Sequence, residues 1–98
     1  MNTQANHPTL GTLTAECECT EADISVTYRL YERSIPCDRD LVTVYSVELE
    51  TRTDTSSETA AAFDISRDAG EARRLFHLLS DGLVTTCTLY EVLDNILS

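Results

Sequence analysis

The sequence predicts an α+β domain: a four-stranded antiparallel β-meander followed by a C-terminal two-helix hairpin packed on one face of the sheet. Two observations predict it. Apolar residues alternate with period two through the first two thirds of the chain, and near residue 68 the period becomes that of a helix. Ninety-eight residues with 42% hydrophobic content suit a single core in a single domain.

Residues 1–9 are polar, contain His7-Pro8 and show no periodicity; they are predicted to be a flexible N-terminal arm, with residues 10–98 as the one domain. The first strand begins near Thr12. Leu13, Ala15, Cys17 and Cys19 share one face, and Thr12, Thr14, Glu16 and Glu18 the other. The segment 20–23 reads as a turn. The second strand, "ISVTYRLYER", sets Ile24, Val26, Tyr28 and Leu30 against Ser25, Thr27, Arg29, Tyr31 and Arg33. Proline and two aspartates make "SIPCDRD" a hairpin loop.

The third strand, "LVTVYSVELE", turns Leu41, Tyr45, Val47 and Leu49 inward. Residues 51–59 are polar and read as a loose connection. The fourth strand covers residues 60–66, with Phe63 and Ile65 inward. Asp68 with Glu71 three residues later opens a helix in the manner of a capping box. Ala69, Ala72, Leu75, Phe76 and Leu79 recur on one face, and Gly82 ends the helix. Thr85 caps a second helix running to Leu97, whose stripe is Leu89, Val92, Leu93, Ile96 and Leu97. The short link between the two favours an antiparallel hairpin.

Charge narrows the functional classes. Seventeen acids oppose seven bases, giving a net charge of −10, and every base is an arginine. Such a chain repels phosphate backbones and anionic headgroups, so direct nucleic-acid binding and membrane adhesion are disfavoured. No stretch approaches the ~18 apolar residues that span a bilayer. The N-terminus lacks the basic and apolar regions of a secretory signal. The expected setting is the reducing cytoplasm, where cysteines remain thiols.

The C-terminal half carries a familiar pattern. "VYSVELE", a polar gap, "FDIS", the helix "ARRLFHLLSDG" and "VTTCTLYEVLDNIL" resemble a small domain family of clostridial and related Firmicutes, known only as a domain of unknown function. The likeness also takes in "VTYRLYERSIPCDRDL" and spans residues 24–97. It departs from the family pattern at Thr86, where a proline is usual. The resemblance implies a small intracellular bacterial protein of this layout. It supplies no activity, cofactor or catalytic residue.

Few residues suggest chemistry. Cys17 and Cys19 share a strand face about 6.6 Å apart and form the one recognisable ligand pair, so a cysteine-based metal or redox site there is an alternative. A metal needs three or four converging ligands, and Cys37, Cys87, His7 and His77 lie elsewhere in the predicted layout. A Cys17–Cys19 disulfide is geometrically poor, because extended backbone holds the Cβ atoms beyond about 4.5 Å. Both cysteines read best as small core residues. Cys87, near a helix N-terminus, is the thiol with the better prospect of activation, with His77 as the one histidine in an ordered element to act as base. Glu48 and Glu50 share a strand face and suit a divalent cation or, more simply, solvent.

There is no nucleophile elbow, zinc-protease motif or phosphate loop. The chain therefore reads as a non-enzymatic protein-interaction or regulatory module without a cofactor. The outward sheet face is the expected interaction surface: Tyr31, Val42, Val44 and Ala62, together with Ala60, make it unusually apolar. Either self-association as a homodimer or cover by a loop or the N-terminal arm would resolve that. A last alternative is an acidic mimic of nucleic acid, which requires the carboxylates to gather on one surface.

Overall fold

The computed structural model describes residues 6–7, 9–82, 84–85 and 88–97. Four long strands run β2 (Gly11–Glu21), β3 (Ile24–Cys37), β4 (Asp40–Arg52) and β5 (Ser57–Ser66), preceded by a two-residue β1 (Asn6–His7). All pairs are antiparallel and the order is β1-β2-β3-β4-β5. Two helices follow, α1 (Ala69–Asp81) and α2 (Leu89–Leu97), and pack on one face. This is the predicted meander and helix pair, with one short strand added.

The added strand lies inside the segment expected to be a loose arm: Asn6 pairs with Thr12 and His7 with Gly11. Gly11 makes this entry with φ +110°, a conformation that suits glycine. Both long connections are also tighter than their polarity suggested. Ser34–Cys37 continues β3, leaving only Asp38 and Arg39 between the strands, and Asp38 adopts a left-handed φ of 57°, which aspartate tolerates in tight turns. Residues 53–56 close the next hairpin, with the Thr53 N–H donating to the Ser56 carbonyl at 2.9 Å.

The core forms between sheet and helices. Val26, Tyr28 and Leu30 of β3 and Val47 and Leu49 of β4 meet Ala72, Phe76 and Leu79 of α1 and Leu89 and Leu93 of α2, with Val84 between the helices. Ala15, Cys17 and Cys19 flank this cluster from β2, and Ala60, Ala62 and Ile65 from β5. Burying a leucine or phenylalanine fully contributes about 1.5–3 kcal/mol, so the period-two and period-3.6 stripes are what hold the layers together. The Tyr28 hydroxyl donates to the Val84 carbonyl at 2.8 Å, pinning the segment between the helices to the middle of the sheet.

Local signals set the helix ends. The Asp68 side chain accepts from the Glu71 N–H at 2.7 Å, as the capping pattern predicts, and the Gly82 N–H donates to the Leu78 carbonyl at 3.0 Å. The second helix starts later than expected. The Thr88 N–H donates to the Thr85 carbonyl at 3.2 Å, and the Val92 N–H to the Thr88 carbonyl at 3.0 Å, so a turn precedes the helix.

Two irregularities reassign faces. Between Leu13 and Ala15 the register shifts: Leu13 stands opposite Tyr31, while Ala15 stands opposite Leu30. Leu13 thus leaves the face it was expected to share with the cysteines. Between Tyr45 and Val47 the partners jump from Ser66 to Ala62, so Phe63, Asp64 and Ile65 bulge from β5. Phe63, expected inward, is 48% exposed. Leu41, also expected inward, is 73% exposed, beside the two-residue turn that joins β3 and β4.

Candidate functional site

The sheet's outward face is organised around Arg29. Its cross-strand neighbours are Glu16 and Glu48. The guanidinium donates to Glu16 at 2.8 Å, Glu48 at 3.1 Å and Glu50 at 3.2 Å. Burial acts to lower the Arg29 pKa, but the bonds to Glu16, Glu50 and Glu48 outweigh it and raise it further. Arg29 is a permanent cation within a carboxylate cage. The Tyr31 hydroxyl joins it, donating to Glu48 at 3.2 Å. Burial first, then Glu48, push this phenol up to about 12, against the opposing pull of Arg29.

The four residues expected to form an apolar interaction surface do not make one exposed patch. Tyr31 and Val44 lie on the outward side but are only 6% and 3% exposed. Val42 is half-buried beside Ile35, its cross-strand partner. Ala62, like Ala60, packs against the core on the helix side. The expected apolar sheet face is replaced by the Arg29 cluster in the middle of the sheet, because Thr27, Arg29, Glu48 and Glu50 occupy the outward positions there.

Cys17 and Cys19 are half-buried on the helix side, opposite Tyr28 and Val26. The Cys19 thiol faces the Ser80 carbonyl at 3.9 Å. Burial, and then the neighbouring Cys17, raise the Cys19 pKa, which keeps it a protonated thiol. Burial, followed by Cys19 and Cys17, pushes Tyr28 up to about 12. Cys37 is exposed at the end of β3, nine residues beyond the partner of Cys17, or about 30 Å along the strand. Among the described residues, no three His, Cys, Asp or Glu side chains are arranged to hold a metal ion. His77 is exposed, its ring set edge-on against Phe76 at 5.6 Å. Cys87 lies outside the described residues.

A concave feature lies elsewhere, between the β5 bulge and α2. It is an open groove of about 830 Å³. Ala62, Ile65 and Leu93 supply apolar lining; Phe63 and Tyr90 flank it; Asp64, Glu91 and Asp94 add carboxylates. Each group is held by local structure. Asp64 adopts φ 55°, its N–H donates to the Ser46 hydroxyl at 3.0 Å, and its carboxylate accepts from Arg33 at 2.9 Å. That fixed kink turns Phe63 outward. Tyr90 is 59% exposed, yet its hydroxyl donates to the Ala61 carbonyl at 2.6 Å, which ties α2 to the edge strand.

Sequence reasoning missed this groove. Phe63 fits an inward alternation unless the bulge is known, and Tyr90 falls outside the apolar stripe of α2. The readable signal was that off-stripe aromatic next to Glu91, three residues before Asp94.

In the described residues no helix is long and apolar enough to cross a membrane. No curated protein and no solved structure matches the chain. A family model does match, over residues 9–98, and its description is a family of unknown function, DUF6514. That span takes in every long strand and both helices, so the chain belongs to the DUF6514 family.

Proposed function

We propose that this protein is a non-enzymatic protein-interaction module of the bacterial cytoplasm, and that its contact surface is the groove between β5 and α2. The carrying observation is that Phe63 and Tyr90 stand solvent-exposed around an apolar floor. Large exposed aromatics beside a concave apolar surface are characteristic of contact sites. Tyr31 and Val44 on the outward sheet face are covered within the chain, so they offer little apolar surface for self-association. The nucleic-acid-mimic reading is weakened too, because Arg29 engages three of the outward glutamates.

Site-specific photo-crosslinking in the cells that make the protein tests the proposal. A benzophenone side chain at position 63 or 90 is expected to capture the same protein partner. One at position 18, on the outward face of β2, is not. Equal capture from all three positions, or none from 63 and 90, would overturn it.

A further inference from the structure

We infer that the groove receives a basic amphipathic helix from a partner protein; this rests on the groove being the contact surface. Three observations select that occupant. The first concerns the edge of β5. An added strand needs a regular run of outward N–H and C=O groups. Here the Ala61 carbonyl already accepts the Tyr90 hydroxyl at 2.6 Å. Three residues on, the left-handed Asp64 turns its N–H to the Ser46 hydroxyl. Main-chain pairing is interrupted where the groove lies, so recognition falls to side chains. A helix laying apolar residues at i, i+3 or i+4 and i+7 into a groove is the mode that works this way.

The second observation is charge. Glu91 and Asp94, three residues apart, stand on one side of α2, where like charges repel each other. Both line the groove, and Asp64 faces them from β5. Arg33 already engages Asp64. A lysine or arginine beside the apolar anchors would sit between Glu91 and Asp94, and the faces of Phe63 and Tyr90 are suited to such cations. The third observation bears on a second copy as occupant. A two-fold contact of groove on groove would bring Glu91 and Asp94 against their own equivalents, in a chain of net charge −10. Like charges across an interface act against it. The partner is therefore a different protein, basic where this one is acidic.

Selection of random 15-residue peptides displayed on phage against the whole chain tests this. The enriched peptides are expected to carry apolar residues at helical spacing with lysine or arginine between them. As synthetic peptides they should bind Phe63→Asp at least tenfold more weakly, and likewise the double variant Glu91→Arg with Asp94→Arg. Added salt should weaken binding to the wild type. All these side chains are at the surface, and circular dichroism with a urea midpoint checks that each variant folds. Acidic peptides, or apolar residues with period two, would overturn the helix inference; if their binding still depends on Phe63, the groove as contact surface survives. Enrichment independent of Phe63, or no enrichment, removes both. A dimer in sedimentation that is lost in Phe63→Asp would assign the groove to a second copy and overturn the inference.

Discussion

At Gly11 a Cβ would collide with the Glu32 carbonyl oxygen and lie 2.8 Å from the Arg33 Cβ. Both neighbours belong to the sheet and cannot give way, and φ +110° is unfavourable for any L side chain. Gly11→Ala is expected to destabilise the protein by about 2–4 kcal/mol. Urea unfolding should show a lower midpoint with an unchanged slope. A midpoint equal to wild type would mean that the entry to β2 is not constrained as described. Asp64 is the counterpart at the other end of the sheet. Aspartate tolerates its left-handed φ better than most residues, and the ion pair from its carboxylate to Arg33 of β3 holds the kink in place.

The strands and helices were legible where side chains touch the core. Val26, Tyr28 and Leu30 had to face one way and Ala72, Phe76 and Leu79 another, and no other pairing of periods fits. Legibility failed where chain leaves the core. Ser34–Cys37 and the ends of the β4–β5 hairpin have no apolar layer to alternate against, so strand residues there looked like loop. The bulges at Leu13 and Phe63 were invisible because one extra residue in β2 and two in β5 re-aim side chains without changing composition. The groove depends on the second bulge and on α2, which starts more than twenty residues later, so no local pattern announces it. The half-buried placement of Cys17 and Cys19 beside the core followed directly from alternation.

The Arg29 cluster is an element-scale device, a cross-strand ladder in which one cation joins β2, β3 and β4. Arg29→Met would leave Glu16, Glu48 and Glu50 without it. Glu48 and Glu50 are mostly covered, at 12% and 24% side-chain exposure. A loss on the order of 1–3 kcal/mol is expected at pH 7. Adding Glu48→Gln to Arg29→Met should recover part of the loss at pH 7. A double variant no more stable than Arg29→Met would show that lost packing, not charge, is responsible.

The whole molecule is a slab of 49 × 39 × 18 Å, two layers thick, and its stability in alkali is set on both sides of the sheet. Tyr28 on the helix side and Tyr31 on the outward side are each pushed up to about 12, against an ordinary phenol value near 10. Below pH 10 both are protonated in the folded and unfolded states, and their contribution is fully present. Between pH 10 and 12 only the unfolded phenols ionise. Stability should then fall by about 1.4 kcal/mol per pH unit for each tyrosine. Urea midpoints measured across this range should drop about half as steeply in Tyr28→Phe. An unchanged slope would mean that Tyr28 ionises alike in both states.

Both helices come after every strand in the chain, and this has a consequence during synthesis. A ribosome adding about 5–20 residues per second takes roughly two to six seconds to pass from Ser66 to Leu97. Over that interval the hairpins can already close, while the side chains of Val26, Tyr28, Val47 and Leu49 have nothing to cover them. A bare sheet is prone to join its neighbours through its edges. Glu16, Glu18 and Glu21 are spaced along β2, so two nascent sheets meeting there bring carboxylate against carboxylate. The acidity of that strand acts against such joining before the helices arrive.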